Sequence, residues 1–445
     1  MSSGLPPVAE LPATARHDDS VSFGRDTLAA VDIAMQAVEA GAVVMASPYC
    51  ATPTTLLAGL ARRSRAVPNV ALAAGMLLGE LPFLADVMAG SLTFRTWHVT
   101  GRGRDLAAAG ALDYIPLRAR DVVPYLRTRV GVALARVTPP DARGNVSLGP
   151  SASYTKAMLS AARLRIAEID PALPRTYGAD VTFPLSDFDH VVDSATPIAT
   201  YESGPPPAVS AAIAGHVVPL LRDGAALQLG IGAVPESIAH AISRSDVGDL
   251  RLVGMISDPM VELADQGRIS TQPHSILAVE LLGTDRVFSF AHENHRVEML
   301  SSTSIHDVGW LGAQPHLISV VSALGVDLSG QTASEQVGER LIAGVGGSVD
   351  FFEGAHVSAG GIRIVALPAR TPGGGSRIQV QFPAGTPVTI PRHSVDYVVT
   401  EFGVAQLAGQ SLAERAHALV DVAAPEHREQ LLDSWLQNSK RLDTR

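Results

Sequence analysis

Short apolar runs alternate along this chain with longer segments of helical periodicity, and turn residues separate the two. The first unit has apolar runs at residues 42–47 and 69–74, with a helical pattern at about residues 53–61 between them. Apolar runs of this length are typical of strands buried on both faces. Strands that alternate with helices pair in parallel, and the helices cover the sheet. The sequence therefore predicts an α/β protein with mainly parallel sheets.

The alternation of strands and helices continues to the end of the chain. Its 445 residues are enough for two domains of ordinary size. Further strands are predicted at residues 112–116, 130–137 and 165–169 in the first half, and at residues 225–229, 251–256, 276–281, 317–322, 361–366, 378–382 and 395–400 in the second. Residues 202–207, with the sequence ESGPPP, predict an extended linker, because consecutive prolines cannot join a helix or a central strand. We expect a flexible leader at residues 1–25 and domains at residues 26–204 and 208–445.

Composition narrows the possible partners. The net charge is −10, which does not favour a nucleic acid or an anionic membrane surface, and no apolar run is long enough to span a bilayer. Cys50 is the single cysteine, so an intrachain disulfide and a cysteine metal site are excluded. Residues 292–295, HENH, do not match a zinc motif, and no metal is predicted. The polar N-terminus lacks a secretory pattern, and a cytoplasmic location is expected.

Two glycine-rich turns are candidate ligand sites. Gly230 and Gly232 follow an apolar run and precede a helical pattern, where backbone N–H groups suit a phosphate or an oxyanion. Pro235 replaces the third glycine of a dinucleotide-binding motif, and no P-loop motif occurs. The second turn, residues 344–350, permits close approach of a ligand to the backbone. A tight hairpin is an equally good interpretation of its composition.

Glu298 is the one acid in the apolar run at residues 297–300. An acid in a buried strand costs free energy unless it is paired or used in chemistry. A structural glutamate in a salt bridge is one interpretation, and a catalytic carboxylate is the other.

The residues around Glu298 resemble an active-site segment of the class I coenzyme A transferases, in the acetyl-CoA hydrolase/transferase family that includes 4-hydroxybutyrate CoA-transferase. A glycine-threonine pair leads there into an aromatic strand, and an Asn-Pro-x-Val-Glu stretch and an Asn-Asp pair follow. The matching residues here are Gly283, Thr284, Phe288, Asn294, Val297, Glu298 and Asp307. Residues 227–235, 344–351, 374–378 and 397–405 also resemble family stretches.

The resemblance implies two similar open, mainly parallel-sheet α/β domains of the CoA-transferase type, with the active site between them and commonly a homodimer. It implies Glu298 as nucleophile and N–H donors from Gly230 and Gly232. Acyl-CoA and a small carboxylic acid would be the substrates, and no tightly bound cofactor is expected. The implied substrate and coenzyme A contacts are Ile231, Ala233, Gly344, Gly346, Gly347, Ser348, Asp350 and Arg377.

The chain also departs from the family pattern. Residues 252–255, LVGM, replace a usual His-Thr-Glu-Met, so Gly254 stands where a glutamate is usual. The other departures are His295 for proline, His306 for asparagine, Gly325 for an acid and Ser348 for glutamine. We interpret them as a shifted acyl or acid specificity. A thioesterase that uses the same glutamate and a non-catalytic acyl-CoA-binding protein are the alternatives.

Overall fold

The computed structural model describes residues 25–202 and 204–442. The predicted leader lies outside these residues except for Arg25, which begins the first helix. The elements of the N-terminal half are α1 (Arg25–Gln36), β1 (Val43–Ala46), α2 (Thr54–Ala66), β2 (Val70–Ala74), α3 (Leu84–Met88), β3 (Leu92–Thr96), α4 (Gly103–Ala108), β4 (Asp113–Tyr114), α5 (Val122–Arg127), β5 (Val132–Val137), β6 (Asn145–Ser147), α6 (Thr155–Ala161), β7 (Leu164–Ile169), β8 (Thr182–Pro184) and β9 (His190–Asp193).

The C-terminal half repeats the alternation of strands and helices. Its elements are α7 (Ala208–Val217), β10 (Ala226–Leu229), α8 (Ala233–Ser243), β11 (Arg251–Ile256), α9 (Asp258–Asp265), β12 (Ile276–Leu281), α10 (Asp285–Ala291), β13 (Val297–Met299), α11 (Ser302–Ile305), α12 (Val308–Gly312), β14 (Ile318–Ser322), β15 (Gly325–Asp327), β16 (Thr332–Ala333), β17 (Gln336–Val337), β18 (Arg340–Leu341), α13 (Ser348–Val357), β19 (Ile362–Ala366), β20 (Ile378–Gln379), β21 (Tyr397–Thr400), β22 (Gly403–Gln406), α14 (Leu412–Asp421) and α15 (Pro425–Leu442).

Each half is built on one large sheet. The N-terminal sheet has the order β4-β3-β2-β1-β5-β7-β9, and all of its pairs are parallel. The C-terminal sheet has the order β13-β12-β11-β10-β14-β19-β21-β22, and its strands are parallel except for the last pair. In each sheet the chain begins at an inner strand, β1 or β10, adds strands toward one edge, and then crosses over to add strands toward the other edge. This is a doubly wound arrangement, and the predicted α/β class with mainly parallel sheets is confirmed.

The fully buried strands match the predictions best. β5 is buried at all six positions and β12 likewise, as expected for strands covered by helices on both faces. The predictions omitted β3 and β9, which carry exposed and charged positions that interrupt the apolar pattern. The expected aromatic strand at Phe288 is wrong. Phe288 lies in α10, because the Thr284 side chain accepts a hydrogen bond from the N–H of Arg286 and caps a helix there.

Backbone hydrogen bonds join the two halves. The N–H of Met299 in β13 donates to the carbonyl of Tyr177 at 2.8 Å, and the N–H of Ala152 donates to Val279 in β12 at 3.1 Å. Residues 175–180 thus run beside the edge strand β13. Gly178 makes this possible because its φ is 141° and a Cβ there would overlap the carbonyl oxygen of Met299.

Within the described residues, no helix is both long enough and apolar enough to cross a membrane. The 18 residues of α15 carry charged groups along most of the helix.

We predict that Gly178→Ala separates this part of the interface and lowers stability by more than about 2 kcal/mol, because both the backbone conformation and the neighbouring carbonyl oppose a side chain. Thermal unfolding of the two purified proteins measures the effect. The matched control is Gly215→Ala in α7, where nothing lies within 4 Å of the new methyl group. An equal melting temperature for Gly178→Ala and wild type would contradict the docking described here.

Candidate functional site

The strand order predicts where a ligand binds. In an open parallel sheet, ligands occupy the crevice at the carboxyl ends of the strands, where the order reverses direction. In the C-terminal sheet this point lies between β10 and β14, which are direct neighbours. The first glycine turn, residues 230–232, leaves β10 at this point and leads into α8.

The first glycine turn has unused donors. Gly232 has a φ of 105° and precedes the first residue of α8. Among the described residues, the N–H groups of Gly230 and Ile231 donate no hydrogen bond, and both residues are half-buried. Free N–H groups at the N-terminus of an eleven-residue helix form a site for an anion or a developing oxyanion. Ala233 begins the helix and is exposed.

The second glycine loop, residues 344–347, is held against the N-terminal half. The N–H of Ala119 donates to the carbonyl of Gly346 at 2.9 Å. A Cβ at Gly344 would overlap the carbonyl oxygen of Trp97, so only glycine fits there. The loop ends where Ser348 begins α13 and donates its hydroxyl to Val345 at 2.9 Å.

Two histidines flank this loop. A Cβ on Gly346 would lie 3.3 Å from Nε2 of His98, and one on Gly347 would lie 2.7 Å from Nε2 of His306. The Nδ1 atoms of both histidines are buried and have no hydrogen-bond partner. Burial lowers the pKa of each to about 4, so both are neutral at pH 7.

Phe351 packs beside the second glycine loop, next to His306. Its ring packs against His306 at 5.1 Å, and a Cβ at Gly254 would lie 3.2 Å from its Cζ atom. Gly254 has a φ of 110° and lies at an irregularity in the pairing of β11 with β12. The position therefore accommodates glycine and disfavours a longer side chain.

Tyr49, a residue of the N-terminal half, lies near His98 beside the second glycine loop. Its φ is 53°, an uncommon backbone conformation for a bulky residue and one that often accompanies function. Its ring lies 6.3 Å from that of His98. The Tyr49 hydroxyl forms no hydrogen bond with another described residue, and the side chain is half-buried.

Glu280, near the carboxyl end of β12, is a carboxyl group that our sequence interpretation missed. It is 1% exposed, and one oxygen accepts a hydrogen bond from the Ser151 hydroxyl at 2.9 Å. Among the described residues, the other oxygen, Oε2, and the hydroxyl of the neighbouring Ser153 form no well-aligned hydrogen bond, although Ser153 lies close enough to act on the carboxyl group. Burial raises the pKa of Glu280 well above its ordinary value, although both serines favour the charged form.

Glu298 lies elsewhere in the sheet. It is in the edge strand β13, opposite Leu277 near the amino end of β12. Its carboxylate is 2.9 Å from Nδ1 of the exposed His274, and its side chain is 30% exposed. Three strand spacings separate β13 from β10, about 14 Å. The structure therefore does not bring Glu298 together with the first glycine turn. Its assignment as nucleophile stays a prediction that this geometry does not favour.

Asp350 and Arg377 are both engaged within the protein. Asp350 is buried in the first turn of α13, where Oδ2 accepts from the N–H of Arg120 at 3.2 Å and Oδ1 has no hydrogen bond. The Arg377 guanidinium donates to the carbonyls of Arg370, Ala323 and Leu324. Since those contacts use most of its donors, a phosphate contact by Arg377 would require them to break.

A cavity of about 220 Å³ lies beside α8. Glu236 and Ser257 line it, and each has a buried side-chain oxygen without a partner. Burial raises the pKa of Glu236 to about 7, and the nearby Asp258 adds to the rise. Glu202 and Asp258 also border the cavity, so its lining is acidic and does not favour an anionic ligand.

Comparisons with known proteins agree with this architecture. The family model of the acetyl-CoA hydrolase/transferase C-terminal domain matches residues 283–435. The chain is 33% identical over 421 residues to 4-hydroxybutyrate coenzyme A transferase of Clostridium kluyveri, which covers 92% of this chain and 97% of that protein. It is 31% identical to butyryl-CoA:acetate CoA-transferase of Anaerostipes caccae, over 91% of this chain and 95% of that protein.

Solved structures show the same fold. RipA from Yersinia pestis aligns with a TM-score of 0.85 at 23% identity, over 92% of this chain and 97% of that one. A 4-hydroxybutyrate CoA-transferase from Porphyromonas gingivalis aligns with a TM-score of 0.76 at 25% identity, with the same coverage. The chain is therefore a coenzyme A transferase by fold and sequence. It belongs to the acetyl-CoA hydrolase/transferase family.

The buried Asp350 predicts a dependence of stability on pH. Burial raises the pKa of Asp350 to about 7, above its ordinary value of 3.8, although Arg120 and Arg118 oppose the rise. The neutral carboxyl is therefore favoured in the folded chain. The stability it contributes is complete below its ordinary pKa and is lost as the pH rises through 7.

We expect the stability of Asp350→Asn to rise relative to wild type between pH 5 and pH 8.5, by on the order of 2 kcal/mol, because the wild-type carboxyl loses its favoured proton over that range. Thermal unfolding from pH 5 to 9 measures the difference. Glu353→Gln is the matched control, since Glu353 is an exposed acid 3.3 Å from the same Arg118. A difference that stays constant over the pH range would contradict the burial argument.

Proposed function

We propose that the protein transfers coenzyme A between an acyl-CoA and a short-chain carboxylic acid, such as acetate or 4-hydroxybutyrate. The single observation that carries the proposal is family membership over nearly the whole chain, with coenzyme A transferases as the similar proteins. The position of the first glycine turn at the reversal of strand order supports it, because that is where a thioester would meet free N–H donors.

The proposed route is covalent. An enzyme carboxylate attacks the thioester carbonyl, and coenzyme A leaves as its thiolate, which produces a mixed anhydride. The thiolate then attacks the carbonyl of the enzyme glutamate, the first acid leaves, and a glutamyl-CoA thioester remains. A second carboxylic acid reverses these steps. Anhydride and thioester are both high in energy, so each exchange changes the free energy little.

Both glycine turns have a role in this route. Each attack places negative charge on a carbonyl oxygen, and the free N–H groups of Gly230 and Ile231 suit that charge. One such donor is typically worth about 3 kcal/mol to a tetrahedral state. The glycines of the second loop, Gly344, Gly346 and Gly347, let the coenzyme approach the backbone closely. The neutral His98 and His306 exclude water without adding charge.

An acyl-CoA hydrolase is the second candidate, and acetyl-CoA hydrolases are among the similar proteins. Water would then attack the intermediate in place of the second acid. A protein that binds acyl-CoA without turnover is the third candidate. We place the transferase first because the similar proteins that align over most of the chain carry transferase names.

The test is an exchange assay with butyryl-CoA and isotopically labelled acetate. A transferase makes labelled acetyl-CoA, needs both substrates, and gives parallel lines in double-reciprocal plots because it releases one product before the second substrate reacts. Release of thiol at the same rate without acetate would show a hydrolase. Binding of butyryl-CoA with neither reaction would contradict both enzymatic candidates.

A further inference from the structure

Glu280 lies where the N-terminal half contacts β12, through Ser151 and Ala152. Extending the register of β10 with β11 by three residues brings Gly230 level with Met255, and Met255 lies opposite Glu280. Glu280 is thus two strand spacings from the first glycine turn, about 10 Å between backbones. A glutamate side chain and a bound thioester together span that distance. Glu298 is one strand further away and its carboxylate lies against His274.

The pairing of β11 with β12 is irregular beside Glu280. Neither the backbone conformation of Gly254 nor the nearby Phe351 leaves room for a longer side chain at that position of β11. Glu280 of β12 lies opposite the next residue, Met255. Since β11 carries no acidic residue, the carboxylate at this point of the pair comes from β12.

The contacts of Glu280 are those of a group kept available for a ligand. A structural buried glutamate in this protein, Glu168, is paired with Arg136 at 3.7 Å and accepts hydrogen bonds from Ser194 and Leu56. Among the described residues no cation pairs with Glu280, and the polar groups that act on its carboxyl are those of Ser151 and Ser153. A buried carboxyl group without a full set of partners destabilises the folded chain, and a ligand that bonds to it removes that cost.

The groups that act on Glu280 or feel its charge come from two strand ends of the N-terminal half and from the segment paired with β12. Tyr49 and Cys50 follow β1 and Tyr154 precedes α6, and the charge of Glu280 raises the pKa of each. Ser151 donates its hydroxyl to the Glu280 carboxyl. Burial keeps both tyrosines and Cys50 neutral at pH 7. Glu280 reacts as the carboxylate, so the proton that burial holds on it passes to solvent water before the attack, and the desolvated carboxylate is then a strong nucleophile.

We propose that Glu280 is the carboxylate that attacks the acyl-CoA thioester, a proposal that rests on the function proposed above. Its Oε2 atom bonds to the acyl carbonyl carbon, the C–S bond breaks, and coenzyme A leaves as the thiolate. The thiolate bonds to the Glu280 Cδ atom and the anhydride C–O bond breaks, which releases the first acid as a carboxylate. The acceptor carboxylate and the thiolate then reverse both steps and restore the Glu280 carboxylate. Once Glu280 has given its proton to solvent water, these steps balance in electrons and protons without a further reactant.

Trapping and peptide mapping test the proposal directly. The full-length protein is incubated with butyryl-CoA, treated with hydroxylamine to convert a glutamyl thioester to a hydroxamate, and digested with trypsin. Cleavage after Arg268, Arg286 and Arg296 places Glu280 alone among the glutamates of peptide 269–286, and Glu298 in peptide 297–340. We expect the label in peptide 269–286.

Two substitutions complete the test in the exchange assay. Glu280→Gln keeps the size and the hydrogen bonds of the neutral acid, so we expect it to fold with an unchanged melting temperature, to lose at least about a thousandfold in kcat, and to take no label. Glu280→Asp keeps a carboxylate and should retain measurable exchange. Glu262→Gln, a half-buried glutamate of α9, is the control and should exchange at the wild-type rate.

The outcomes separate this proposal from the proposed function. Exchange by wild type with the label in peptide 297–340, or exchange by Glu280→Gln within about tenfold of wild type, overturns the assignment of Glu280 and leaves the transferase intact. Loss of exchange in Glu298→Ala together with a label on Glu298 would return the role to that residue. No exchange and no label with wild type overturns the transferase itself, and the role of Glu280 with it.

Discussion

The backbone contact between the two halves is the interaction on which the candidate site depends. The hydrogen bonds from Ala152 to Val279, from Met299 to Tyr177 and from Ala119 to Gly346 tie the N-terminal half to β12, to β13 and to the second glycine loop. These are the segments that position Glu280 and the loop glycines. Neither sheet alone brings the two sets of groups together. A site of this kind exists only when both halves fold and dock, so folding and function share the same contacts.

The partners of the buried carboxylates distinguish acids that stabilise the fold from acids that can react with a substrate. Buried carboxylates are stable when a cation or several donors face them. Arg363 and Asp396 form such a pair with two hydrogen bonds, and Arg136 holds Glu168 and Asp170. Among the described residues no cation pairs with Glu280, and its hydrogen-bond donor is the Ser151 hydroxyl. The fold therefore pairs the acids that support the sheets with arginines and leaves Glu280 without such a pair where the two halves meet.

Much of the fold is predictable from this sequence because helices cover both faces of the sheets. Continuous apolar runs then mark the central strands, and glycine or proline marks their ends. Among the strands that prediction omits, β3 and β9 carry charged and exposed positions, so their pattern is weak. The first glycine turn is equally visible, since a strand, two glycines and a helix start follow one another without interruption. For the second glycine loop the sequence shows only that glycines are frequent. Its contacts with Trp97 and Ala119 form only when the two halves dock, so no local pattern predicts them.

The nucleophile is harder to predict than the fold, because several acids share one local signature. Glu168, Glu280 and Glu298 each stand alone in an apolar strand, and from the sequence each would be a costly buried acid. What distinguishes them is the partner that tertiary structure supplies. Glu168 is paired with Arg136 and Glu298 with His274, whereas Glu280 accepts a hydrogen bond from a serine hydroxyl. Arg136, His274 and Ser151 lie 32, 24 and 129 residues away from their acids, and no local pattern specifies those distances. The acid whose partner leaves it least satisfied is the one that a substrate can still engage.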